Sequence, residues 1–260
     1  MPHIIFWAWE RPEDLRFLKV GQAGVAFLAK TIFVESSETG GTSRRGFTVR
    51  PRLQPLRTTP GTPLMAVVRI ETRGKGAVAE GLPRVHRVRL EDAPDASAMR
   101  EELASEIAAL QSVPGVAAVQ IDFDALVSER GFYRDLLHDV RQKLPARLAL
   151  SITALASWCI GDRWLENLPA GTIDEAVPML FRMGRDGGQV VTFMRMDEEF
   201  PVTACRSSLG VSIDEEPSQA VLKGIMASPA MRTEGKRVYV FSPHAWTAKE
   251  AEEVLKELQP

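Results

Sequence analysis

The strongest constraint on this chain is a change of period on either side of one short stretch, Val116 to Leu126. Within it Val119, Ile121 and Phe123 alternate with Gln120, Asp122 and Asp124. Alternate side chains of a strand share a face, so one face is apolar and the other ends in two carboxylates. Before it Leu103, Ile107 and Leu110 recur at i, i+4 and i+7, and after it Phe132, Leu136, Leu137, Val140 and Leu144 form a second stripe. Both are helical patterns. A strand between two such helices turns its apolar face toward them and its acidic face inward, as in the wall of a barrel.

The same alternation can be followed along most of the chain. Apolar runs read as strands over 3–9, 24–33, 64–71, 116–124, 147–155, 173–181, 203–211 and 236–242. In the fifth, Leu148, Leu150 and Ile152 face one way and the small Ala149, Ser151 and Thr153 the other, large outside and small inside. Helices are expected from Pro12 to about Lys19, from Ser97, over 128–144, around Trp158 to Leu165, near 189–196, over 218–228, and after the capping box Thr247 to Glu250. Residues 35–63, rich in Gly, Ser, Thr, Arg and Pro, read as a long loop in place of the second helix, with at most a short extended piece near 47–50. Eight strands alternating with helices in 260 residues, without a composition break, imply a single α/β domain over 1–260, a closed (β/α)8 TIM barrel.

Composition narrows the function classes. A formal net charge of −2 gives no electrostatic case for nucleic acid or an anionic membrane, and no apolar run is long enough to span a bilayer. Cys159 and Cys205 match no metal motif and are read as free thiols. The four His residues form no His-x-His pair, there is no Gly-x-Ser-x-Gly elbow, and no Gly-x-Gly-x-x-Gly opens a helix. No metal or cofactor is expected, and the sequence is silent on oligomeric state. Met1 to Trp9 lacks the basic and apolar regions of a signal peptide, which reads as cytoplasmic, or as exported if a leader has been removed.

Barrel active sites lie at the C-terminal strand ends. Those ends carry Trp9 and Glu10, Lys30, Arg69 and Glu71, Asp122 and Asp124, Thr153 with Trp158, Arg182, and His244 with Trp246. Acids with flat aromatics suit a carbohydrate: acids move protons or stabilise charge, and indoles cover sugar faces. Asp122 and Asp124 are the expected acidic centre. Two acids on one strand do not readily flank a glycosidic bond from opposite sides, so Glu71 or Glu10 is the expected second carboxylate. Arg69, Trp7, Trp9, Trp158, His244 and Trp246 are expected around the substrate, with packing as the alternative role of each Trp and an ion pair with the acids as that of Arg69.

Three stretches carry a family resemblance: Val119-Gln-Ile-Asp-Phe-Asp124, Leu150-Ser-Ile-Thr-Ala-Leu-Ala-Ser-Trp158, and Trp7-Ala-Trp9. They resemble an uncharacterised bacterial family, a domain of unknown function, which implies a barrel related to glycoside hydrolases. The acidic strand is also similar to the Asp-x-Asp-x-Glu of chitinase-like family-18 barrels, whose Glu is the acid. Asp122 and Asp124 match the two Asp positions, and Leu126 stands where the Glu would be. The resemblance therefore implies a glycan-acting barrel with no proton donor at the usual place. The alternatives are a non-catalytic carbohydrate-binding or interaction barrel, and a lyase or hydrolase that uses His244 as base.

Overall fold

The computed structural model describes residues 1–39, 42–74, 96–184, 187–195, 199–215 and 236–258. In chain order the strands are β1 (Ile4–Ala8), β2 (Glu13–Leu15), β3 (Gly24–Thr39), β4 (Thr42–Pro51), β5 (Leu56–Thr58), β6 (Leu64–Gly74), β7 (Val116–Asp122), β8 (Ala149–Leu155), β9 (Glu175–Met179), β10 (Ser208–Ser212) and β11 (Arg237–Phe241). The helices are α1 (Ala96–Ala108), α2 (Arg130–Lys143), α3 (Ala156–Ile160), α4 (Gly187–Arg195) and α5 (Ala248–Leu258). Strands β1, β3, β6, β7, β8, β9, β10 and β11 pair in that order, all parallel, and β11 returns to β1. The sheet is closed, and the expected (β/α)8 barrel is the fold.

Period-two alternation sorts side chains to the two sides of this wall. Ile5, Trp7, Ala26, Met65, Val67, Ala118, Val177, Tyr239 and Phe241 form an inner cluster drawn from strands alone. Ile4, Phe6, Val68, Ile70, Val119, Ile121, Leu150 and Ile152 pack outward in one cluster with the buried faces of the helices. Helix α2 buries Phe132, Tyr133, Leu136, Leu137 and Val140 there, and α5 buries Val254, Leu255 and Leu258. The expected box caps α5: the Thr247 backbone N–H donates to Glu250 at 3.1 Å, and the Glu250 N–H donates to Thr247 Oγ1 at 3.3 Å. At Gly210 a Cβ would lie 3.1 Å from Trp7 Cη2 and 3.3 Å from the Pro178 carbonyl oxygen, so a bare backbone makes room for the indole inside the barrel.

Four expectations need correction. The helix after Pro12 is absent; Glu13 lies in β2, buried, where its carboxylate accepts from Arg11 Nε at 2.8 Å and from the Trp246 N–H at 3.0 Å. Acids after a proline suggested a first helical turn, but this one serves a buried tertiary pair. The long loop at 35–63 is in large part a β-hairpin. Strand β4 pairs antiparallel with β3 from Lys30↔Pro51 to Thr39↔Thr42, and β5 then pairs with β2. Strand β1 occupies one edge of β3 only as far as Phe27, so that edge is open to β4 beyond. The cysteines are bonded to one another, with Cα atoms 5.8 Å apart; a tertiary approach between α3 and the turn before β10 has no local signature. Finally, Thr203–Cys205 is a 3-10 turn, and the seventh barrel strand starts at Ser208. The helix expected over 218–228 and the connection over 75–95 lie outside the described residues.

Candidate active site

The two ends of the barrel interior are built differently. From the cavity floor down to the N-terminal strand ends the polar groups close on one another. Trp7 Nε1 donates to Gln120 Oε1 at 3.0 Å, and Gln120 Nε2 donates to Ser151 Oγ at 3.0 Å. The Tyr239 hydroxyl donates to Glu175 Oε1, and Arg237 Nε donates to Glu175 Oε2 at 3.0 Å. Burial raises the Tyr239 phenol, and the Glu175 charge raises it further, so it stays a donor.

Toward the C-terminal ends lies a cavity of about 260 Å³, lined among others by Trp7, Trp9, Arg69, Gln120, Asp122, Asp124, Thr153, Phe181, Arg182 and Phe241. Asp122 is the last residue of β7 and faces inward, as the parity of Gln120 requires. The chain leaves the strand there: the Ala125 N–H donates to the Phe123 carbonyl at 2.8 Å, a tight turn centred on Asp124. Phe123 and Ala125 are buried in the outer cluster while Asp124 is exposed to the cavity.

Burial pushes Asp122 up to about 6; the Thr153 hydroxyl, donating to Oδ1 at 2.7 Å, and the Arg69 charge oppose this, whereas the charges of Asp124 and Glu71 reinforce it. Asp124 is also raised, by burial against the pull of Arg69. The result is a pair of neighbouring carboxyls that both hold their protons to higher pH than usual, Asp122 to about 6. Behind them Tyr133 is buried against Phe123, with ring centroids 5.1 Å apart, and burial raises its phenol well above the usual value.

The opposite arc is aromatic. Phe181 and Phe241 stack at 5.4 Å with planes 6° apart, Trp7 meets Phe181 at 6.0 Å, and Trp9 meets Phe241 edge-on at 6.2 Å. Arg69 lies 5.6 Å from the Trp9 ring and pairs with Glu71 at 3.2 Å. Phe181 and Phe241 were missed from the sequence, although the spacing Arg237, Tyr239, Phe241 marks the inner face of β11.

The expected site residues therefore divide. Asp122, Asp124, Arg69, Trp7 and Trp9 meet at the cavity. Glu71 is beside it through Arg69 and acts on Asp122 electrostatically. Glu10 pairs with Arg50 at 2.8 Å, away from the lining. Trp158 is buried outside the barrel, edge-on to Trp164 at 5.1 Å, because α3 presents Ala156 and Ser157 to the cavity and turns Trp158 under the helix layer. Trp246 is likewise in the outer cluster, 4.7 Å from Phe6, with Nε1 donating to the Trp7 carbonyl at 2.9 Å. His244 is exposed, with Nε2 3.4 Å from Glu250, and does not line the cavity. Among the described residues no three His, Cys, Asp or Glu side chains are grouped to hold a metal ion, and no helix is long and apolar enough to cross a membrane.

Residues 80–179, which contain β7, α2, β8 and β9, match the family described as "Domain of unknown function (DUF3142)". No curated protein matches the chain. Among solved structures it is similar to a chitinase from Rhizomucor miehei, with 11% identity, a TM-score of 0.56 and 98% of each chain covered. It is also similar to the spore cortex-lytic enzyme of Bacillus cereus, with 12% identity, a TM-score of 0.50, and 99% of this chain and 75% of that one covered. At these identities the likeness is one of fold: the chain shares the (β/α)8 barrel with these two structures.

Proposed function

We propose that the barrel acts on a poly- or oligosaccharide as a glycoside hydrolase, with Asp122 as the proton donor. The observation that carries this reading is the state of Asp122: it faces the cavity, is held by Thr153, and is pushed up to about 6 beside the exposed Asp124. A carboxyl tuned close to the working pH can be protonated before the glycosidic oxygen needs the proton and ionised afterwards. Asp124 keeps a negative charge next to the sugar carbon where positive charge develops, and Arg69 limits the repulsion between the two acids. Trp9, Phe181 and Phe241 offer apolar faces for sugar rings. Glu71, on the neighbouring strand, is the nearest choice for a second carboxylate.

A second reading, glycan binding without cleavage, is favoured by Leu126, 38% exposed where a chitinase-like strand would carry its acid. It is favoured too by the origin of the cavity's carboxylates: among the described lining residues both come from the end of β7. Asp122→Asn and Asp124→Asn, assayed separately on a broad oligosaccharide panel and on a glycan array, separate the two. Hydrolysis by the native protein that drops at least about 100-fold in Asp122→Asn supports the enzyme. Binding without product supports the second reading, and cleavage that survives both substitutions removes these acids from the chemistry.

We further propose an oxidising compartment as the place of work, because a buried bridge such as Cys159–Cys205 is rare where thiols are kept reduced. Thiol alkylation before and after reduction, on protein taken from its native host, tests it. Two alkylatable cysteines without reductant would contradict it.

A further inference from the structure

Resting on the reading of the cavity as a glycan site, we propose that the glycan it selects is anionic, and that Arg182 recognises its acidic group. Three independent features of Arg182 support this. First, its backbone has φ 51, a left-handed conformation that side-chain-bearing residues rarely adopt. Glycine or asparagine meets such a turn with less strain, so the position keeps a long side chain where the backbone alone argues against one. The turn is fixed from outside, the Arg182 N–H donating to Glu215 Oε2 at 2.8 Å.

Second, the guanidinium is placed but not used up. It lies 5.2 Å from the Phe241 ring, on the aromatic arc of the cavity. Its one ion contact among the described residues is Glu215 Oε1 at 3.9 Å from Nε, with no side-chain hydrogen bond. The other cavity cation differs: Arg69 is paired with Glu71 and offsets the charge of Asp122 and Asp124. A guanidinium beside an aromatic ring whose donors are unfilled among the described residues is suited to a carboxylate or sulfate, which it can engage with two parallel hydrogen bonds.

Third, the charges are separated around the mouth. Asp122 ends β7, Arg182 follows β9, and β8 with the short Thr153 side chain stands between them. A sugar lying on Phe181 and Phe241 would reach the acids with one edge and Arg182 with another. Its anionic substituent is thereby kept off the β7 acids, and a sugar turned round would meet them with like charge.

The test is titration calorimetry of the intact protein and of Arg182→Gly, a substitution that suits the left-handed backbone and removes the side chain with its guanidinium. The probes are chitotetraose, its O-sulfated counterpart, and a hyaluronan tetrasaccharide that carries glucuronate. The native protein should bind at least one anionic probe about tenfold more tightly than chitotetraose, a preference that falls with added salt and disappears in Arg182→Gly because that variant loses more affinity for the anionic probe than for chitotetraose. The probe that shows the effect distinguishes carboxylate from sulfate. Equal binding of neutral and anionic probes, or a preference that persists in Arg182→Gly, overturns the proposal and leaves the glycan reading standing. Failure of all three to bind the native protein removes both.

Discussion

The bottom and the mouth of this barrel hold similar groups to different ends. At the bottom, Glu175 is 2% exposed and is met by Arg237 and by the Tyr239 hydroxyl, while above them, on the cavity floor, Gln120 links Trp7 to Ser151. Its donors and acceptors are spent on one another, which makes a polar interior tolerable in a closed sheet. At the mouth, Asp122 has one hydroxyl, Asp124 stands beside it with like charge, and Arg69 is shared with Glu71. The paired end holds the fold together. The underpaired end is the one to which the proposed function assigns a ligand.

That contrast can be broken most forcefully at Glu175. Glu175→Ala strands Arg237 and Tyr239, and unfolding in denaturant should show a loss of about 3–5 kcal/mol. A loss below about 1 kcal/mol would mean that the bottom network is not structural.

Asp122→Asn should have the opposite character. The native group titrates at about 6 against an ordinary 3.8. Between those values the folded chain binds more protons than the unfolded one, so Asp122 makes stability fall as pH rises through that window, by up to about 3 kcal/mol in all. Stability measured from pH 3.5 to 7 in both proteins should differ by this slope, with the variant gaining relative to the native chain at the upper end. Parallel curves would place Asp122 among ordinary carboxylates.

Thr153→Val is the smallest and most local change. It removes the one hydrogen bond that favours the charged form of Asp122, at a cost of about 1 kcal/mol at pH above 7. The Asp122 midpoint should move upward. A downward shift would reverse the role given to the hydroxyl.

What the sequence disclosed follows the range of each signal. The alternation at Gln120, Ile121 and Asp122 is local and exact, so it was legible, as were the α2 and α5 stripes and the Thr247–Glu250 cap. The β3–β4 hairpin was hidden because Gly, Ser and Arg resemble loop composition, and these strands continue past the β1–β3 pairing that defines the barrel wall. Trp158 and Trp246 show a second limit: a Trp just beyond a strand end can turn toward the cavity or under the helices, and only tertiary packing decides. The Cys159–Cys205 approach and the hydrogen bond from the Trp246 N–H to Glu13 are likewise products of tertiary contact.

The central claim is that the place of Asp122 in the mouth lifts its titration well above that of an ordinary carboxyl, and carboxyl-carbon NMR titration of the native protein addresses it directly. Asp122 should titrate at about 6, and lower once Asp124→Asn has removed the neighbouring charge. A midpoint near the ordinary 3.8 that Asp124→Asn leaves unmoved would contradict it.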